Sequence, residues 1–442
     1  MKHTIHSLKV YAIFCFLTLA GKSAFPQFNV TGQFIQRSEY RHGYGKLIPE
    51  KTDAALFINQ RARLEFNYKS EKLRLYSSVQ DVRIFGNTSQ VKLNDPYFSV
   101  HEAFAEMLLD SSFSIKLGRQ ELVYDNSRFF GNLDWALQGR SHDFVLVRYK
   151  QKSIKLHAGG GYNQDLEALI GNTFNTINQY KLAQMIRIEY GVKGFDFSML
   201  FWNDGRQFIV KDSLEKIISK GVRYRQTIGI PTIKYKFKNT TFYAYYYHQL
   251  GKDVNNKLMD AFDASISISQ RMNMNKEKKS GITFTLGTEV MSGTATNNTG
   301  RTNFSFAPLY GTNHAHNGYM DMFFVGGRFE NSVGLYDAYL RIKYDLNLKM
   351  FLSLNSHYFN AYGKVYNKTD KLNPYLGTEL DLTIGYKIID PVSIQLGYSQ
   401  FFNTATMNYI SKVISPQNLQ NWAYLMVVYR PFSDKKFIGL IF

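Results

Sequence analysis

Polar and apolar residues alternate along much of the chain, in segments of about ten residues. LYDAYLRIKYDL, from Leu335, places Tyr336 and Leu340 on one face and Asp337 and Arg341 on the other. GTELDLTIGYKII and RLEFNYK show the same division. A period of two predicts β-strands with one apolar face and one charged face.

These segments recur about every 15 to 25 residues and come in pairs joined by tight polar turns. The other connections are long; the pattern places them at residues 86–98, 126–140, 163–178, 203–220, 293–317 and 403–418. Short turns at one end and long loops at the other are typical of transmembrane β-barrels. We therefore predict that residues 28–442 form an all-β fold, a transmembrane antiparallel β-barrel of about 18 strands (roughly 16–20), with short periplasmic turns and long extracellular loops.

Aromatic residues make up 16% of a chain whose mean hydropathy is only −0.29, which suits a wall with one apolar and one polar face. Three aromatic groups are expected to form girdles at the membrane interfaces: Tyr245–Tyr247, Phe323–Phe324 and Phe401–Phe402. A β-sandwich or propeller is disfavoured because no blade-like repeat is visible. The sequence ends in KKFIGLIF, whose terminal aromatic is typical of bacterial outer-membrane barrels; residues 433–442 form either the last strand or a short tail.

The N-terminus reads as a secretory signal peptide. A basic start, MKHTIHSLK, precedes an apolar run of about 12 residues and the small or polar KSAFPQ. We assign residues 1–27 to this peptide, with cleavage between Ala24 and Gln27. Cys15, the only cysteine, would leave with it, so the mature chain would hold no disulfide, thiolate metal site or cysteine nucleophile. The expected location is the bacterial outer membrane.

The formal net charge of +18 favours an anionic partner. Export argues against nucleic acid. An anionic polysaccharide or oligosaccharide, and the outer-membrane lipid with its phosphate-rich lipopolysaccharide, are the partners that remain.

Arginine and glutamate repeat at positions i and i+2 in four segments: Arg37 with Glu39, Arg63 with Glu65, Arg119 with Glu121, and Arg187 with Glu189. Such pairs share a strand face at a spacing of about 7 Å. A barrel of this size is expected to leave an aqueous channel, so these faces and Arg341 would line it. Guanidinium groups bind carboxylates bidentately, which favours acidic sugars. The alternative is that such pairs are salt-bridged decoration with little effect.

Enzyme functions are disfavoured, and no cofactor or metal is expected. His314 and His316 in NHAHNG lack further ligands at a recognised spacing and more simply belong to a hydrogen-bonded loop. Ser141, His142 and Asp143 are adjacent, so a strand would send them to alternating faces and prevent a catalytic triad.

Several blocks resemble the alginate-export outer-membrane porins, in the form found in the Bacteroidetes group. LGRQELVYDNSRFFGNLDWALQGRSHD (117–143) carries the resemblance most clearly. The other blocks are residues 60–86, 99–107, 306–324 and 421–431, in the expected order.

The resemblance implies a monomeric barrel with an arginine-rich constriction that selects for alginate, a uronate polymer, and leaves periplasmic export partners possible. By motif match, the constriction candidates are Arg119, Arg128 and Arg140, with Glu121 and Asp125 as counter-charges; Arg63 and Glu65 follow.

The leading hypothesis is an anion-selective channel for an acidic polysaccharide or oligosaccharide. One alternative is a general or nutrient-uptake porin for small solutes. Another is a plugged barrel without a transport role, in which residues 163–178 form a short helix folded inward.

Overall fold

A computed structural model describes residues 27–91, 94–174, 179–325, 332–433 and 436–441. The signal peptide assigned to residues 1–27 lies outside this range, apart from Gln27 at the start of the first strand. No helix among the described residues is long and apolar enough to cross a membrane.

Eighteen long strands form one antiparallel sheet that closes on itself, as the sequence predicts. Closure comes from pairing of the first and last strands, with Arg37 opposite Met426. The strands are β1 Gln27–His42, β2 Ala55–Lys69, β3 Leu73–Ile84, β4 Phe98–Leu108, β5 Phe113–Gln120, β6 His142–Gln151, β7 Ile154–Tyr162, β8 Leu182–Val192, β9 Phe195–Lys211, β10 Ile217–Phe237, β11 Thr240–Lys252, β12 Leu258–Asn275, β13 Ser280–Met291, β14 Leu335–Asp345, β15 Met350–Asn360, β16 Tyr375–Ile389, β17 Val392–Asn403 and β18 Leu419–Tyr429.

Minor elements lie in the connections. They are the helix α1 Ala405–Ser411, a 3₁₀ turn at Asn313–Ala315, and the two-residue strands Thr302–Asn303, Tyr366–Asn367 and Asp370–Lys371. The N-terminus of α1 is capped by Thr404, whose side chain accepts a hydrogen bond from the Met407 amide.

The alternation of each strand sorts apolar side chains outward and polar ones inward. Leu382 is 45% exposed on the outer face, whereas its neighbour Asp381 is 1% exposed on the inner face. Leu64 and Arg63 on β2 divide in the same way. The outer face is therefore largely an apolar band, and charged side chains such as those of Asp381 and Arg63 face the lumen.

Short turns of two to four residues join the strands at one end of the barrel, and the longer connections lie at the other. One predicted loop is wrong. Residues 203–220 were expected to form a long connection, but β9 runs to Lys211 and β10 starts at Ile217. Asp204 and Arg206 therefore belong to β9, and their side chains form an ion pair inside the barrel.

The predicted aromatic girdles are wrong for most of their members. Tyr246 and Phe402 are exposed on the outer face, but Tyr245, Tyr247 and Phe401 are buried inside the barrel, and so is the loop residue Phe324. Consecutive strand residues alternate between faces, so a run of aromatics cannot all face lipid.

Candidate functional site: a lumen filled by two loops and a tail

Three segments enter the lumen. Inner loop 1 (residues 121–141) joins β5 to β6, and inner loop 2 (residues 292–334, described apart from 326–331) joins β13 to β14. The tail (residues 436–441) follows the last strand. Residues 126–140 form a long connection, as predicted, and this connection folds into the lumen. The sequence did not predict that inner loop 2 and the tail would join it.

Stacked aromatic rings hold the two inner loops together. Phe130 and Tyr310 stack with centroids 5.6 Å apart and planes 9° from parallel. Both rings make edge-to-face contacts with Trp202 on β9. On the other side of the barrel, Trp135 stacks on His314 with centroids 4.0 Å apart. The loops therefore form one layer that spans the lumen from wall to wall.

Arg128 fixes this layer to the far wall. Its side chain is fully buried, with Nε 2.8 Å from a Glu289 carboxylate oxygen and 3.3 Å from one of Asp263. A second nitrogen donates to Asn317 of inner loop 2 at 2.9 Å. Burial alone lowers the pKa of Arg128, but the Glu289 and Asp263 carboxylates more than offset it and raise the pKa above its ordinary value.

Asp134 fixes the opposite part of inner loop 1. Its carboxylate accepts hydrogen bonds from Arg61 on β2 at 2.6 Å and from Arg430, just beyond β18, at 2.5 Å. Burial acts to raise the pKa of Asp134, yet the two guanidinium groups hold it below its usual range. The loop is thus tied to both sides of the seam where the barrel closes.

The tail turns back into the barrel from the short-turn end and does not extend the sheet. Gln395 on β17 accepts a hydrogen bond from the Ile438 amide at 3.1 Å and donates to its carbonyl at 3.0 Å. Gly439 has φ +77°, and a Cβ there would lie 2.3 Å from Trp135 Cε3. The tail therefore packs directly beneath inner loop 1. Of the two alternatives for residues 433–442, the described residues 433 and 436–441 form a tail; residues 434, 435 and 442 lie outside the described residues.

An outer cavity of about 1030 Å³ lies above this layer, at the long-loop end. One acidic residue, Asp321, contributes to its lining. Six arginines line it as well: Arg37, Arg41, Arg83, Arg119, Arg140 and Arg206. Several of the arginines pair with carboxylates of the wall, as Arg206 does with Asp204 at 2.9 Å.

Arg140 differs from its neighbours in this cavity. It donates to the Gly311 carbonyl at 2.9 Å, and no carboxylate of the described residues forms an ion pair with it. Burial lowers its pKa to about 10, which leaves it charged at neutral pH. It is therefore the best placed of the six to bind an incoming anion.

An inner cavity of about 560 Å³ lies at the short-turn end and shares no lining residue with the outer one. Its charges are balanced: Lys155, Lys234, Arg187 and Arg341 face Asp125, Glu189, Asp196 and Glu289. Tail residue Ile441 forms part of its wall.

The structure brings two of the four predicted arginine–glutamate pairs together. Arg37 lies 2.8 Å from Glu39, and Arg187 lies 2.7 Å from Glu189 and 2.9 Å from Asp125.

The other two pairs are not formed. Arg63 donates to Gln80 while Glu65 accepts from Gln33. Arg119 pairs with Asp143 on the neighbouring strand, at 2.8 Å. Glu121 follows the end of β5 and contacts His101 instead, because the backbone leaves the strand at Gln120.

Three candidates from the matching motif therefore occupy different environments. Arg119 shares the outward side of β5 with Leu117 and is half exposed at the rim of the outer cavity. Arg128 is enclosed within the loop layer. Arg140 faces the outer cavity. Arg341 lines the inner cavity and donates to the His316 carbonyl at 3.2 Å.

The histidines of NHAHNG belong to the loop layer. His314 Nδ1 lies 2.8 Å from Asp321, and burial lowers the pKa of His316 well below its ordinary value. Among the described residues, neither His314 nor His316 belongs to a group of three potential metal ligands. His142 is buried inside and Asp143 lies on the outward side, so adjacent residues do diverge there. In the plugged-barrel alternative, residues 163–178 form a short helix; the described part of this segment, residues 163–174, contains no helix.

Sequence reasoning missed several lumenal residues. Arg61 lies two positions before Arg63 on the same face, so the alternation itself indicated it. Arg206 and Asp204 were hidden by the wrong loop assignment. Asp134 and Trp135 gave no signal, because their partners are distant in sequence.

Comparison with solved structures identifies the architecture. The chain aligns with OccK9 (OpdG) of Pseudomonas aeruginosa at a TM-score of 0.57 and 11% identity, over 91% of this chain and 98% of that one. OpdK of the same organism gives a TM-score of 0.55 at 12% identity, with the same coverage. The chain has the fold of an outer-membrane porin. No family model matches it, and no curated protein matches it. The alginate-export resemblance thus stays a prediction.

Proposed function

We propose that the protein is an outer-membrane channel that admits acidic solutes through the arginine-lined outer cavity. Support comes from the porin fold, the apolar outer band and the arginines that line the outer cavity. The observation that carries anion preference is Arg140, a charged guanidinium that faces the cavity without a carboxylate partner among the described residues.

The substrates we favour are carboxylate-bearing sugars, as short oligosaccharides of the alginate type. Guanidinium groups on several sides of one cavity suit successive carboxylates along such a chain. One structural neighbour, OpdK, was solved with vanillate, which is a carboxylate. Small acidic nutrients are the alternative, because the loop layer divides the lumen into separate cavities.

Reversal potentials across planar bilayers in a KCl gradient test the proposal. We expect the purified protein to favour chloride over potassium, and Arg140→Gln to move the permeability ratio toward unity. Glucuronate oligomers should reduce the current through the wild type more than uncharged oligomers of equal length. Arg301→Gln, at an exposed loop arginine, is the matched control and should change neither result. A cation-selective wild-type pore would contradict the proposal.

A plugged barrel is the second candidate, because both inner loops and the tail occupy the lumen. Liposome swelling distinguishes the two. Entry of small acidic sugars supports a channel, whereas complete exclusion of every solute, with the protein shown to be folded, supports a plug.

A further inference from the structure

A histidine and two glutamates meet at the base of inner loop 1, away from the arginine-lined cavity. His101 and Glu102 are consecutive residues of β4, yet both are buried on the inner face. The reason is a β-bulge: Glu102 pairs with Ser78 and Val100 with Val79, so His101 is the extra residue. Bulges of this kind re-aim side chains, and here the bulge turns two adjacent side chains into the lumen.

Glu121 completes the group from the other strand. It is the first residue after β5, and its Oε1 lies 2.9 Å from His101 Nε2. Its backbone amide donates to Glu102 Oε1, also at 2.9 Å. One ligand atom from each of the three residues lies within 4.8 Å of the others. Asn132 donates to the second oxygen of Glu121 at 3.1 Å and so orients it.

The two carboxylates lack a cationic partner of the kind found elsewhere in the lumen. Among the described residues, neither forms an ion pair with a lysine or an arginine. The nearest candidates are engaged in other contacts: Arg63 donates twice to Gln80, and Lys116 Nζ lies 3.7 Å from the centre of the Phe104 ring. Glu102 is 8% exposed, and a buried carboxylate without a cationic partner is costly, so the arrangement favours a bound cation.

Space for an ion and its water is present. Glu102 and Glu121 both line two small cavities, of about 260 and 480 Å³. An ion held by the three side chains would therefore keep open positions for water molecules.

We propose that His101, Glu102 and Glu121 bind a first-row divalent metal ion, of which Zn²⁺ is the best match. Zinc accepts both imidazole nitrogen and carboxylate oxygen as ligands, with bonds of about 2.0–2.2 Å. Calcium prefers six to eight oxygen ligands, which this group does not offer. On binding, His101 Nε2 exchanges its hydrogen bond to Glu121 for the ion. The ion then joins β4 to the start of inner loop 1 and holds the loop in the lumen.

The test uses untagged, full-length protein in detergent, stripped with EDTA and titrated with Zn²⁺ by calorimetry. We expect one equivalent per chain and a higher midpoint of thermal unfolding with Zn²⁺. His101→Gln and Glu121→Gln should each weaken binding at least tenfold. His248→Gln is the matched control, because His248 also lies beside a carboxylate, 3.3 Å from Asp260.

Zn²⁺ binding that is equal in the wild type and in His101→Gln overturns the proposal. Binding of Ca²⁺ as tight as that of Zn²⁺ also overturns it. Heat-modifiable gel migration establishes that each variant is folded. If His101→Gln does not fold, Glu121→Gln still decides the result, because this residue lies after the strand and its side chain is 24% exposed.

Discussion

Replacing Arg128 tests whether its ion pairs keep inner loop 1 in the lumen. Arg128→Met preserves much of the side-chain volume but removes every hydrogen bond to Glu289, Asp263 and Asn317. The two carboxylates then remain buried and face each other without a cation. We expect the loop layer to loosen while the wall strands stay paired.

The magnitude follows from the burial of the pair. Removing one partner of a buried ion pair costs about 3–5 kcal/mol. With about 1.4 kcal/mol for each factor of ten, the equilibrium between closed and open loop positions shifts by roughly a hundredfold to a few thousandfold. Protonation of one carboxylate recovers part of this cost, so the lower end of the range is the safer expectation.

Single-channel recording in planar bilayers provides the assay. The variant should show larger or noisier conductance than the wild type, together with faster protease cleavage within residues 121–141. Arg301→Met, at an exposed loop arginine, is the control and should behave like the wild type. If Arg128→Met reproduces the conductance, the noise and the protease pattern of the wild type, Arg128 does not hold the loop.

Two further predictions concern the other attachments of the loop layer. Asp134→Asn should weaken inner loop 1 by about 1.5–3 kcal/mol at neutral pH. The pKa of Asp134 is lowered in the folded protein, so its contribution to the stability of inner loop 1 is complete above about pH 4 and is lost as the pH falls further. The protease sensitivities of the wild type and the variant should therefore converge in acid. Gln395→Ala should free the tail, since it removes both hydrogen bonds to Ile438; a maleimide should then modify Ile441→Cys faster than in the otherwise unchanged chain, and equal rates would refute this role.

The wall of the barrel was predictable from sequence, whereas the contents of its lumen were not. The two-residue period is a local property, so Asp337 and Arg341 could be assigned to the inner face directly. Arg37 and Glu39 met as expected because both lie within one regular strand. Arg119 and Glu121 have the same spacing but did not meet, because the strand ends between them.

Contacts within the lumen depend on positions far apart in the chain. Arg128 meets Asp263 across 135 residues, and Tyr310 stacks on Phe130 from a different loop. No local pattern encodes such pairings. The aromatic runs failed for a related reason: in the sequence they resemble girdle residues, and only the fold of the loops shows that Phe324 packs inside.

The position of the tail sets an order of events during folding. Gly439 rests against Trp135, and Trp135 in turn packs on Trp422 and Tyr424 of the last strand. The surface that the tail contacts is therefore complete only when β18 has paired within the barrel and inner loop 1 has entered the lumen. We therefore expect docking of the tail to follow closure of the barrel and entry of inner loop 1 into the lumen.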